Sequence, residues 1–269
     1  MTSKASAAIM YSKIDADKIS LIQNPTDTAM TTFRVIYKSE KNGNVPFAIQ
    51  TPKMPAPFGI SNNQDIPNMK KKPDLKYFLN LSFKNEESNP KIQMFKQKIK
   101  EIEERIRKLF LEQFADKMLP LDPDDSTEKH TDKTLKRMFT SSIKKGKAKN
   151  DTDIYPDTFR ISISVNKENK PDANFYGTEL GPDGLPQLQP FTEIKKGADI
   201  TSIVYVNVYC ATGLKKFGVI MKLTQLQYEN QEYLDLKRFQ IQDDDDSQSE
   251  SESGEDGVGY EGLEFAIDN

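Results

Sequence analysis

The chain has 269 residues with one cysteine and one histidine, and 36% of its residues are hydrophobic. That composition excludes a disulfide framework within the chain and a zinc site needing several Cys or His ligands, though not an all-carboxylate metal site. The formal charge of −3 hides an asymmetry: residues 243–269 hold 11 Asp or Glu and no Lys or Arg, leaving 38 basic against 30 acidic residues, about +8, in residues 1–242.

Residues 1–30 are polar with scattered apolar positions and read as a mobile arm or a short edge strand. In "TTFRVIYKSE" Phe33, Val35 and Tyr37 alternate with Arg34 and Lys38, the pattern of a half-buried strand. The four prolines of "VPFAIQTPKMPAPFGISNN" forbid a helix, so this stretch is expected to cross the sheet surface in an extended form. "DIPNMKKKPD" is a basic loop. "LKYFLNLSFK" is the clearest strand, with Tyr77, Leu79, Leu81 and Phe83 on one face and Phe78, Asn80 and Ser82 on the other. The period then changes. Ile92, Phe95, Ile99, Ile102, Ile106, Leu109 or Phe110, and Phe114 recur every three or four residues, which predicts an amphipathic helix over 89–114. Asn89 suits its N-cap and Pro90 its first position, and its Lys and Glu residues read as a solvated face.

Residues 119–153 are polar and irregular, with a short helix expected around Leu135, Met138, Phe139 and Ile143, ending in the basic loop "KKGKAKN". Period two returns in "DTFRISISVN", where Phe159, Ile161, Ile163 and Val165 oppose Arg160, Ser162 and Ser164. "GTELGPDGLPQLQP" reads as a turn-rich connection. "DITSIVYVNVYCATGLKKFGVIMKLTQLQYE" reads as a hairpin of two strands. The expected fold is mostly β (α+β): a small barrel with a long amphipathic helix inserted between strands, and an acidic disordered tail. The corresponding divisions are an arm over 1–30, a domain over 31–242 that includes the irregular insertion 119–153, and a tail over 243–269.

Catalytic patterns are absent. The sequence has no GxxxxGK[ST] or GxSxG motif, and His130 stands alone in a polar stretch. Cys210 lies in an apolar strand and reads as a core residue. "LDPDDSTE" and "DDDD" lack calcium-loop spacing. No catalytic residue, metal or cofactor is expected. No stretch approaches the ~20 apolar residues of a membrane span, and the first residues resemble neither a signal nor a transit peptide. The expectation is a soluble intracellular protein that is not secreted and not membrane-bound.

The strand "TSIVYVNVYC" carries Val204, Val206, Val208 and Cys210 on one face and Ile203, Tyr205, Asn207 and Tyr209 on the other. Tyrosines alternating with an amide suit stacking on bases, and Phe78 is displayed among Asn80 and Ser82 in a comparable way. The alternative is that the tyrosines cover a second layer such as the long helix. Lysines surround these elements: Lys70, Lys71 and Lys72; Lys144, Lys145, Lys147 and Lys149; Lys195 and Lys196; Lys215 and Lys216; Arg160 adds a further cation. Lysine neutralises phosphate without reading sequence. An aromatic and basic surface of this kind points to a single-stranded nucleic acid.

The order of elements carries a resemblance. A loop with Phe58 and Gly59 is followed by "KYFLNLSF" and a Pro-capped charged helix. "YPDTFRISISV", "KKGADITSIVYVNVYCATGLKKFGVIMKLTQLQ" and an acidic tail with a late aromatic come next. This resembles the gene 2.5-type single-stranded DNA-binding proteins of short-tailed coliphages, and still more the related proteins of large nucleocytoplasmic DNA viruses. The resemblance covers roughly residues 45–269, is poor over 115–153 and is absent from the first 40 residues. It implies an OB-fold barrel that coats single-stranded DNA in viral replication, recombination and repair, with Phe58 joining Tyr205, Tyr209 and Phe78 as a stacking candidate. It also implies a homodimer, residence in host cytoplasm or nucleus, and a tail that contacts replication proteins such as a polymerase or helicase-primase. The phage tail ends in an aromatic, whereas Phe265 here is followed by four more residues. The tail residues that would serve are Asp243, Asp244, Asp245 and Asp246 for charge and Leu263, Phe265 and Ile267 for apolar contact. A tethered polyanion competes with DNA for a basic groove, and phosphorylation of Ser247, Ser249, Ser251 or Ser253 would strengthen the competition. The rival readings are an acidic-tailed chaperone for basic protein clients, an RNA-binding module and a processivity subunit.

Overall fold

The computed structural model describes residues 8–25, 30–63, 75–119, 131–148 and 154–231. Apolar residues at every second position set most of its strands. β1 (Ile9–Met10) and β2 (Ile19–Gln23) lie in the segment expected as an arm or short edge strand. Tyr11, Ile14, Ile19 and Leu21 are buried in the core, so this segment is part of the packed body, with β2 at a sheet edge beside β3 (Met30–Ser39). The domain therefore begins before residue 31. The proline-rich stretch is woven into the sheet as four short strands: β4 (Gly43–Pro46), β5 (Ala48–Gln50), β6 (Met54–Ala56) and β7 (Ile60–Asn62). Phe47, Ile49 and Met54 between its prolines are fully buried.

β8 (Tyr77–Ser82) leads through a turn to helix α1 (Pro90–Gln113). The Asn89 side chain accepts from the Lys91 and Ile92 N–H groups, and Pro90 has no N–H to lose at the first position. Helix α2 (Ala115–Met118) and helix α3 (Asp132–Met138) follow. Then come β9 (Phe139–Thr140), β10 (Ile143–Lys144) and β11 (Thr158–Ile163). The stretch expected as a turn-rich connection contains a hairpin, β12 (Asn174–Leu180) and β13 (Pro186–Leu188), turned at Gly184 with φ +72°. Two 14-residue strands, β14 (Ala198–Ala211) and β15 (Lys216–Glu229), complete the sheet.

Among the described residues all fifteen strands join one sheet, whose main path runs β1-β5-β14-β15-β11-β8-β7. β3 and β6 also pair with β14, and β6 packs beside β8, so the sheet curls. Among the described residues the two ends of the path do not pair with each other, so hydrogen bonding does not close the expected barrel. Helix α1 fills the concavity. Phe110 stacks on Phe217 of β15 at 4.2 Å, and Phe95 meets Phe159 of β11 edge-on at 5.1 Å. Cys210 is buried in this core, and burial raises its thiol pKa. Among the described residues no helix is long and apolar enough to cross a membrane, and no three His, Cys, Asp or Glu side chains gather as a metal site.

Candidate nucleic-acid interface

Helix α1 decides which sheet face is open. Phe217, its stacking partner, pairs with Cys210, and residues directly paired across a ladder share a face. Helix α1 therefore lies on the face of Val204, Val206, Val208 and Cys210. The tyrosines stand on the opposite face, so they do not cover the long helix. Across that face, paired residues form a row: Phe78, Ser162, Lys222, Tyr205 and Ala48. Tyr205 and Tyr209 are both half-buried. Tyr209 lies against Gly218, its ring 3.1 Å from where a Cβ would stand. The absence of a side chain at Gly218 thus gives the tyrosine a flat seat.

A wedge arms this face. β9 pairs with β15 and β10 pairs with β11, so residues 139–144 sit between those two strands at one end. Glu103 of α1 fixes the wedge. Its carboxylate, buried with its residue only 6% exposed, accepts from Ser141 Oγ, Ser142 N and Ser142 Oγ, each at 2.7 Å. One turn further, Arg107 Nε donates to Asp132 of α3 at 2.6 Å. Glu103, one of the residues of the expected solvated face, and Arg107 are buried because the insertion packs on them.

The wedge brings Lys144 close to Arg160. Burial, and then the Arg160 charge, lower the Lys144 pKa from its ordinary value against the opposing pull of Glu103. Partial burial also lowers the Arg160 guanidinium. Among the described residues no carboxylate forms an ion pair with Lys144, Arg160 or Lys222. Lys144 Nζ donates to the Ser141 carbonyl at 2.8 Å, while Arg160 and Lys222 line a groove and form a seat for anions. The groove, about 530 Å³, is lined by Lys76, Tyr77, Phe78, Arg160, Ser162 and Lys222, among others.

The expected site residues divide into several groups. Tyr205, Tyr209, Arg160 and Lys144 share the open face. Phe78 lies there too, but its ring is covered: Arg160 sits 4.1 Å above it and the residue is 8% exposed. Phe78 thus supports a guanidinium instead of offering a free ring. Lys145 reaches out to Asp157 at 3.0 Å, while Lys147 is exposed on the same arm. Phe58, 57% exposed, sits in the turn before Gly59, which packs on the Ile194–Lys195 backbone. Phe58, Lys195 and Lys196 therefore cluster near the start of β14, while Lys215 and Lys216 stand at the β14–β15 turn, the other end of that strand. Lys70, Lys71, Lys72, Lys149 and the tail residues Asp243, Asp244, Asp245, Asp246, Leu263, Phe265 and Ile267 lie outside the described residues.

Sequence reasoning missed Lys222, Lys76, Arg34 and Tyr155. Lys222 pairs with Tyr205 and Arg34 with Asn207, so both belong to the tyrosine face. Their signal was present, since each is the polar member of an alternating strand. Tyr155 is 55% exposed beside the Lys147 backbone and had no periodicity to mark it.

The face thus defines a class of surface: aromatic, cationic and grooved, suited to a polyanion with planar groups. No family model and no curated protein matches the chain. Among solved structures, the chain is similar to gp2.5, a single-stranded DNA-binding protein of bacteriophage T7. That likeness has a TM-score of 0.40 and 12% identity, and covers 72% of this chain and 98% of that one. It is also similar to the single-stranded DNA-binding protein of bacteriophage Enc34, with a TM-score of 0.38 and 13% identity over 82% of this chain and 96% of that one.

Proposed function

We propose that the protein binds single-stranded DNA without reading its sequence. The observation that carries this reading is the open face of the sheet. Helix α1 occupies the valine side, which leaves Tyr205 and Tyr209 on the face of Arg160, Lys144 and Lys222, cations with no carboxylate ion pair among the described residues. Bases stack on the tyrosines while the cations neutralise the backbone, a combination that tolerates any sequence. The curled sheet around α1 is read as an OB-type barrel, coating DNA during viral replication, recombination and repair. The 11 acids of residues 243–269 compete with DNA for the cations, and Leu263, Phe265 and Ile267 give a replication partner an apolar grip. Chemistry on the bound strand has no part in this reading.

Fluorescence anisotropy of a labelled oligo-dT tests it, using the full chain and a chain ending at residue 242 over a salt series. Tighter binding by the shortened chain, with steep loss in salt, is the expected result. Absence of binding by both sinks the DNA reading. Tighter binding to oligo-U of equal length favours an RNA-binding module, and capture of a basic protein by the tail alone favours a chaperone.

A further inference from the structure

A second cavity lies on the same side of the sheet. It measures about 870 Å³ and is open to solvent between the β12–β13 hairpin and the early halves of β14 and β15. Its hairpin wall is Tyr176, Leu185 and Leu188, and the two leucines are 63% and 65% exposed. Ile203 forms its floor, flanked by Gln50 on β5 and Gln225 on β15, which pair with it from either side. Among the described residues nothing hydrogen-bonds the side-chain amides of Gln50 or Gln225, whereas Gln227 is tied to the Gly177 carbonyl at 3.4 Å.

From these residues we infer that this trough is a nucleobase pocket at one end of the DNA track. The inference rests on the single-strand reading above. Three features decide the ligand. The described lining has no basic residue and one acid, Asp183, so a phosphate or the acidic tail is a poor occupant. Apolar walls with free amides suit a flat, neutral group with donors and acceptors on its edge, which describes an unpaired base. The position also fits. Ile203 is the next residue after Tyr205 on the same face, about 6.8 Å along the strand, close to the reach of one extended nucleotide. A strand held by Lys222 and stacked on Tyr205 therefore delivers its following base into the trough.

The bulge in β15 makes room for it. Thr224 is the extra residue between the Val204–Leu223 and Ile203–Gln225 pairs, and its hydroxyl donates to the Ile203 carbonyl at 2.9 Å. Beyond it, β15 changes which parity faces outward, from Lys222 to Gln225 and Gln227. The cationic track thereby gives way to an amide-lined one.

The test uses the full chain and an oligo-dT carrying a single 2-aminopurine at each position in turn. Leu188→Ser and Gln225→Ala change exposed side chains and are checked for unchanged thermal unfolding. Each is expected to weaken binding about tenfold at an unchanged salt slope, and to abolish the fluorescence change at one terminal position only. Lys222→Ala is the comparison and is expected to flatten the salt slope. If both trough variants bind like the parent chain while Lys222→Ala weakens binding, the pocket inference is overturned and the DNA reading stands. If the parent chain does not bind oligo-dT at all, both fail. Binding of a peptide of residues 259–269, lost in Leu188→Ser while DNA binding persists, overturns the inference in favour of a peptide groove.

Discussion

Replacing Glu103 with alanine is expected to loosen the wedge that carries Lys144. The carboxylate accepts three hydrogen bonds at 2.7 Å, and two of the donors belong to Ser142, which is 3% exposed. Hydrogen bonds to a charged group contribute about 1.5–3 kcal/mol each, and a buried N–H left without a partner costs about 1–3 kcal/mol. Relief of the desolvation of the carboxylate offsets part of that sum. The two serine hydroxyls can also rotate towards other acceptors. The net loss is about 3 kcal/mol. With a urea slope of about 2–3 kcal/mol per molar for a body of this size, the midpoint falls by roughly 1 M. Glu103→Gln keeps one acceptor oxygen and the shape, so it is expected to lose about half as much. Oligo-dT affinity falls with both, since Lys144 and Arg160 depend on where the wedge sits. A midpoint unchanged in Glu103→Ala, or a larger loss in Glu103→Gln than in Glu103→Ala, refutes the anchoring role.

Four further outcomes are expected. Burial would raise the Asp157 carboxyl, but Lys96, Lys145 and the Gly146 N–H outweigh it and hold its pKa at about 2, below the ordinary 3.8. Because the folded value is the lower one, its stabilisation is complete above about pH 4 and is lost as pH falls towards 2. With Lys145 solvent-exposed, this amounts to about 1–2 kcal/mol, so Asp157→Asn should cost that much at pH 7 and nothing near pH 2 in denaturant titrations. Gly218→Ala places a methyl 2.5 Å from the Thr140 carbonyl oxygen and against Tyr209, and is expected to cost about 1–3 kcal/mol by thermal unfolding and to weaken oligo-dT binding. Tyr205→Ala should weaken binding by about 1–3 kcal/mol without altering the salt dependence. Lys222→Ala should reduce the slope of log affinity against log salt by about 0.7 in the same anisotropy assay.

Alternation over residues 203–210 made most of β14 legible, although polar Ser202 breaks it on the buried face, and the Asn89–Pro90 start with three- and four-residue spacing did the same for α1. In β15 the pattern is interrupted. Buried positions run Phe217, Val219, Met221 and Leu223, then shift to Leu226 and Tyr228 across the bulge, which alternation alone does not announce. β9 and β10 hold two residues each, too short for any period, and exist because Glu103 holds the turn between them. Tyr205 and Tyr209 could be read as a face because their partners on β14 are uniformly apolar. Phe78 could not be read correctly, since its burial comes from Arg160 on another strand and 82 positions away. Arg34 and Lys222 join the tyrosines through pairings between distant segments, information that no local window contains.

The central position of β14 has a consequence for how the chain is made. β3, β5 and β6 all pair with it, and the Thr51–Ser202 contact joins residues 151 apart. At about 5–20 residues per second, a ribosome that has finished β6 takes roughly eight to thirty seconds to deliver β14. For that interval the edges of β3, β5 and β6 that β14 will cover have no strand to pair with, and Phe33, Phe47 and Ile49 lack part of their core. The nascent chain is then a client for holding chaperones. Fragments ending before Ala198 are expected to aggregate, however sound their local strands.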